Sequence, residues 1–198
     1  MANLLILLQG LLAAYAPKLF KDYAGNTKAL REHHPGLQYN FRNSVYPAIA
    51  FNFGPRTVTY MHVDTGNKAN GLCAITALGQ FDPKRGGHLV LAQLGLVIEF
   101  PPGATILIPS ATVAHGNTPI QEGETRQSVT QYAAGGLFRW VRFGFRNEKA
   151  LVRENRALAD ELKAQKSTAW AEALNSFSTV STLQQDRAIY STADDKLA

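Results

Sequence analysis

The 198-residue sequence has one cysteine, two methionines and two tryptophans. One cysteine can build neither an intrachain disulfide framework nor a thiolate-rich zinc site, and it suits a reducing compartment. No run reaches the roughly eighteen apolar residues of a membrane span. The phosphate-cradling patterns G-x-G-x-x-G and G-x-x-x-x-G-K-[ST] are missing, which disfavours a βαβ nucleotide fold. Sixteen glycines and nine prolines are an ordinary share and exclude collagen-like or linker sequence. With 45% hydrophobic residues the chain is not disordered throughout. Its length allows one domain with an appendage, not two full domains.

What is present is a basic excess, net +5. Residues 1–146 hold thirteen Lys/Arg against seven Asp/Glu, and residues 147–198 hold seven against eight. Such a surplus suits nucleic acid, an anionic cosubstrate, or neither.

At the start, residues 4–8 and 11–14 with Ala14-Tyr15-Ala16 imitate a secretion signal. No basic residue precedes the apolar run, however, Gln9-Gly10 interrupts it, and Pro17 would follow the cut. Leu4, Leu8, Leu11 and Tyr15 share a helical face, so a docked amphipathic helix is expected. His33-His34-Pro35-Gly36 reads as a turn. Residues 40–53, with Phe41, Tyr46, Phe51 and Phe53, read as irregular: a core edge, or a rim over a pocket.

From Arg56 the pattern changes to short strands punctuated by Gly, Pro and Asn. Strands are expected over 57–63, 73–78, 88–92, 95–100, 104–108, 111–115, 126–132 and 136–145. Short strands at close spacing without long helices between them indicate an antiparallel sandwich or barrel. Residues 147–165 then read as one helix with Leu151, Leu158 and Leu162 on a face, and 169–177 as a shorter one. The polar end, 178–198, is expected to fray. The division is a β domain with N-terminal helices over 1–146 and a helical C-terminal extension over 147–198.

The chemistry starts at His62-Val63-Asp64. Residues two apart on a strand face the same way, so an imidazole and a carboxylate project together. His115, before Gly116-Asn117, is the candidate third ligand. Two His and one carboxylate on one face of an octahedral ion are the arrangement of non-haem Fe(II) oxygenases. Eleven residues past His115, Arg126 shares a strand face with Ser128, Thr130 and Tyr132. An arginine turned into an apolar barrel needs an anion, and a guanidinium with a neighbouring hydroxyl suits a carboxylate.

H-x-D, a distal His and then Arg on such a β domain resembles the Fe(II)/2-oxoglutarate-dependent dioxygenases. More closely, FNFGPRTVTYMHVDTGN, CAITALGQFDPKRGGHLVLAQLGLVIEFPPGATILIPSATVAHGNTP and GETRQSVTQYAAGGLFRW resemble the TET/JBP-like subgroup as found in mushroom-forming fungi. The resemblance implies a mainly β fold with flanking helices: a double-stranded β-helix (jelly-roll, cupin-like) core. It implies Fe(II) on His62, Asp64 and His115, and 2-oxoglutarate held by Arg126 with Ser128 helping. The reaction it implies consumes O2 and 2-oxoglutarate, releases succinate and CO2, and oxidises the 5-methyl group of 5-methylcytosine or thymine in nucleic acid, DNA before RNA.

An enzyme of that kind takes a base out of the stack, which calls for aromatic platforms and a basic rim. Phe41, Tyr46, Tyr60 and Phe81 are the stacking candidates, and Arg42, Lys68, Lys84 and Arg85 the phosphate-contact candidates. Such residues are more often core aromatics and solvated charges. Asn117 suits a substrate contact, a ligand-orienting hydrogen bond or a plain turn. Cys73 reads as buried and inert, and His88 as structural. The resemblance suggests an intracellular, nuclear enzyme with no membrane and no obligate protein partner. Two readings stay open beside it: a 2-oxoglutarate oxygenase hydroxylating a protein side chain or small molecule, and a non-catalytic β-barrel that binds nucleic acid or a partner.

Overall fold

The computed structural model describes residues 2–39, 41 and 44–188, with the backbone alone for 2–8 and 166. Arg42, the side chains of Leu4 and Leu8, and residues 189–198 of the polar end lie outside what is described. The chain divides into two compact units, Tyr46–Ala134 and the combination of Met1–Val45 with Gly135–Ala198. Among the described residues no helix is long and apolar enough to cross a membrane.

Tyr46–Ala134 holds seven strands: β1 (Ala48–Asn52), β2 (Cys73–Gln80), β3 (Leu89–Leu91), β4 (Leu96–Ile98), β5 (Thr105–Ile108), β6 (His115–Asn117) and β7 (Thr125–Tyr132). They form a four-stranded sheet, β1-β7-β2-β5, and a three-stranded sheet, β4-β3-β6. Every pairing is antiparallel. Alternate residues of β2 (Cys73, Ile75, Ala77) join Leu89 and Leu91 of β3, Ile108 of β5, and Phe81, Phe100 and Ile120 in one buried cluster. The period of two thus gives each sheet an apolar face, and burying those faces holds the unit together.

The helical unit comprises α1 (Ala2–Tyr15), α2 (Pro17–His33), α3 (Gly135–Arg142), α4 (Glu148–Glu154), α5 (Arg156–Ala164), α6 (Ala169–Asn175) and α7 (Leu183–Arg187). Pro17 sits at the start of α2, where its missing N–H removes no helical hydrogen bond. α2 packs against α1, α3 and α7.

Several expected elements differ. Helices hold more residues than strands, so the chain is mixed helix and antiparallel sheet rather than mainly β. Residues 48–52, read as irregular, are strand β1, paired with β7. Residues 57–63 form no regular strand; within them His62 alone makes an isolated bridge, to His115. Residues 111–114 form a turn, with Val113 N–H bonded to Pro109 O at 3.0 Å, and β6 begins at His115. Residues 135–142 are helix α3, not strand: Phe138 meets Tyr23 of α2 at 5.4 Å between ring centroids, a tertiary contact that outweighs β propensity.

The single helix expected over 147–165 is two. Asn155 ends α4, and its side chain accepts from Leu158 N–H at 3.0 Å to cap α5. Among the described side chains of α1, Leu12 is 0% exposed, whereas Tyr15 is 62% exposed beside Arg187.

Candidate metal centre

His62 and His115 face each other across a backbone bridge. His62 N–H bonds to His115 O at 3.1 Å, and His115 N–H to His62 O at 3.0 Å. One turn of the ladder away, Thr59 N–H donates to Asn117 Oδ1 at 2.8 Å and Asn117 N–H to Thr59 O at 3.0 Å. Asn117 Nδ2 also donates to Thr57 O and Thr118 O. Asn117 is therefore a strut between β6 and residues 57–59, its side chain engaged on both ends. Gly116 permits this approach: a Cβ there would lie 2.8 Å from Thr59 O.

Both imidazoles are fixed in the same tautomer. His62 Nδ1 lies 2.8 Å from Tyr60 O, and His115 Nδ1 3.0 Å from Val113 O. A carbonyl only accepts, so Nδ1 carries a hydrogen in each ring, which leaves Nε2 as the atom that faces Asp64 and can meet a metal ion. Asp64 lies between them, with Oδ1 3.4 Å from His62 Nε2 and Oδ2 3.9 Å from His115 Nε2. One donor atom from each residue falls within 4.8 Å of the others. Two imidazoles and one carboxylate fit a first-row divalent ion such as Fe(II), with three of six octahedral positions left open. His115 is buried and His62 exposed, so the cluster opens to solvent on the His62 side.

The three lie in a cavity of about 450 Å³ with Arg126, Ser128, Thr130 and Tyr132 on its wall. β7 places these four on one face by alternation. Arg126 is 2% exposed. Its backbone is pinned on both sides, by the β2 register opposite Gly79 and by Pro55 O and Thr57 N–H. Nη1 reaches Thr57 O at 3.4 Å, and the buried Nε has no partner.

No carboxylate pairs with this guanidinium among the described residues, and burial pushes its pKa below the ordinary arginine value. A buried cation without a counter-charge is costly, so the cavity fits an anion at this end. Ser128 Oγ accepts from Asn52 Nδ2 at 2.9 Å, which leaves its own hydrogen free to donate to that anion. The pair suits one carboxylate of a keto-diacid such as 2-oxoglutarate.

Asn52 and Asn67 were missed in the sequence. Asn67 Nδ2 donates to Asp64 Oδ2 at 3.1 Å and to Ser110 Oγ at 3.0 Å. No local pattern marks either residue. The register of β1 on β7 and the turn after Asp64 bring them in.

Of the substrate candidates, Tyr60 is 87% exposed, with its carbonyl on His62 Nδ1. Tyr46 and Phe81 are buried, which corrects their expected stacking role: a ring already covered by protein offers no face to a base. Phe41 is half-buried in the helical unit. Lys68 is half-buried and bonds to Asn70 Oδ1; Lys84 and Arg85 are exposed in the turn before β3. His88 Nδ1 lies 3.3 Å from Thr118 Oγ1. Cys73 is buried and its thiol is pushed up to about 11, chiefly by desolvation.

No family model matches the sequence. No curated protein matches it either. Among solved structures the chain is similar to NgTET1 in complex with 5mC DNA, at 20% identity and a TM-score of 0.43, over 54% of this chain and 42% of that one. It is also similar to the viral collagen prolyl hydroxylase vCPH from Paramecium Bursaria Chlorella virus-1 in its 2OG complex, at 16% identity and a TM-score of 0.33, over 55% and 70%. The chain thus spans less than half the length of the NgTET1 chain.

Proposed function

We propose that this chain is an Fe(II)- and 2-oxoglutarate-dependent dioxygenase with a double-stranded β-helix core, and that it oxidises the 5-methyl group of 5-methylcytosine or thymine in DNA. The observation that carries the reaction class is one cavity containing both His62, Asp64 and His115, with donor atoms within 4.8 Å, and a buried arginine that lacks a counter-charge. His62, Asp64 and His115 would hold the metal. Arg126 and Ser128 would hold the far carboxylate of 2-oxoglutarate, and Ile75 and Leu89 give the same cavity an apolar wall that helps exclude water. When bound, the pair supplies the oxidation: one atom of O2 enters the substrate C–H bond and the other ends in succinate as CO2 leaves.

The DNA reading rests on the sequence resemblance of residues 51–145. Tyr60 is the stacking candidate that is open to solvent, and nuclear localisation follows from the substrate. A second reading, hydroxylation of a protein side chain or small molecule, is favoured by one observation. Tyr46–Ala134 carries five Lys/Arg and five Asp/Glu, no surplus for a polyanion.

Anaerobic addition of Fe(II) and 2-oxoglutarate should give a visible metal-to-ligand charge-transfer band, which Arg126→Ala should remove. No band with the wild-type chain would overturn the reaction class. Mass spectrometry of nucleosides from treated methylated DNA should show 5-hydroxymethyl products. Unchanged DNA beside succinate production stimulated by peptides or small molecules selects the second reading.

A further inference from the structure

Asp64 presents its two oxygens unequally. Oδ1 faces His62 Nε2 at 3.4 Å and Oδ2 faces His115 Nε2 at 3.9 Å, but Oδ2 alone accepts a hydrogen bond from Asn67 Nδ2, at 3.1 Å. Because a carboxylate only accepts, the amide nitrogen and not its oxygen must face Asp64. The second hydrogen of that nitrogen goes to Ser110 Oγ at 3.0 Å. Ser110 is buried, its side chain is hydrogen-bonded to the Cys73 thiol, and its carbonyl takes the Asp64 amide at 2.9 Å.

The Asn67 backbone is held as firmly. Its N–H closes a turn onto Asp64 O at 2.9 Å, the residue bridges to Ala134, and Lys68 N–H bonds to Ala133 O at 2.8 Å. Turning the amide breaks two hydrogen bonds, and turning the carboxylate breaks the one from Asn67.

We propose that Asn67 is a positioning residue that holds Asp64 as a one-oxygen metal ligand and so keeps a coordination position open. The inference rests on the reading of the site as a metal centre. With three protein donor atoms an octahedral ion keeps three positions, enough for a chelating keto acid and for dioxygen. A carboxylate that rotates to grip through both oxygens leaves two, which the chelate alone would fill. An amide bonded to one oxygen opposes that rotation and also raises the definition of the ligand, as partners of metal ligands do.

The test uses Mn(II) alone with the full chain, so no turnover is needed. Asn67→Ala should weaken Mn(II) binding by roughly 10–100-fold. At saturating chain, water-proton relaxation per bound Mn(II) should fall by about one third, because one of three exchangeable positions closes. A merely structural role would lower affinity and leave relaxation per bound ion unchanged, and that result overturns the inference. Ser110→Ala, which removes the anchor of the amide, should shift both readouts in the same direction by less; unchanged relaxation there counts against the inference equally if Asn67→Ala fails to fold. A wild-type chain that binds no Mn(II) would sink the metal-centre reading as well, whereas binding with no difference in the variants sinks this inference alone.

Discussion

The two units of this chain differ in charge as sharply as in architecture. Tyr46–Ala134 balances five basic against five acidic residues, while the helical unit carries fifteen against ten and so holds the entire surplus of five. In the β unit one cation is 2% exposed and without a carboxylate partner; in the helical unit ion pairs such as Arg156–Asp160 at 3.1 Å sit in solvent. Exposed pairs contribute little, whereas a desolvated charge without a partner is a strong constraint. The contrast separates two kinds of positive charge: a desolvated one that shapes a small-anion site, and a solvated one that gives the helical unit its net charge.

The largest expected effect tests the β unit. His62→Ala or Asp64→Ala should abolish turnover and weaken Fe(II) binding by on the order of 100-fold or more. Thermal unfolding of the metal-free chain should be nearly unchanged, since both side chains are partly exposed. Loss of folding would assign them a structural role.

Arg126→Met sharpens the contrast between buried and exposed cations. It should remove the 2-oxoglutarate-dependent rise in melting temperature, yet make the ligand-free chain as stable or more stable by about 1–3 kcal/mol, because a desolvated cation has been replaced by an apolar chain. A less stable ligand-free variant would mean that the charge of the guanidinium is already compensated within the protein.

Gly116→Ala acts on backbone spacing without touching a ligand. The new Cβ would crowd Thr59 O and spread the His62–His115 pair, and metal affinity measured by titration should drop about tenfold. In the helical unit, Arg139→Glu with Arg142→Glu, both exposed on α3, should weaken DNA binding several-fold at low salt and leave 2-oxoglutarate affinity unaltered. Equal effects on both ligands would erase the separation between the units.

One effect is confined to alkaline pH. Burial raises the Cys73 thiol to about 11 from an ordinary 9.0. The unfolded chain therefore loses this proton first, and stability falls as pH rises from about 9 towards 11, by on the order of 2–3 kcal/mol. Cys73→Ala should flatten that slope in pH-dependent unfolding, whatever it does to the stability at pH 7.

The residues with the strongest local signals were legible without coordinates. Alternation alone placed Arg126, Ser128, Thr130 and Tyr132 on one face, and the structure puts all four on the cavity wall. Glycine- and proline-rich punctuation marked most strands of the β unit to within a few residues. The boundaries at 111–115 and 136–145 failed because a short apolar run has no period that distinguishes strand from turn or helix. There the Phe138–Tyr23 contact and the turn before β6 decided.

Sequence by itself determined which side chains can act as ligands: two imidazoles, a carboxylate, and a cation on a strand face. Tertiary structure alone decided the bridge that sets His62 opposite His115, the carbonyls that turn both Nε2 atoms toward Asp64, and the amides of Asn52 and Asn67 that direct Ser128 and Asp64. The physical reason is range. Side-chain direction follows from a two-residue repeat within one segment, whereas pairing between residues 53 to 76 positions apart depends on how whole strands come into register.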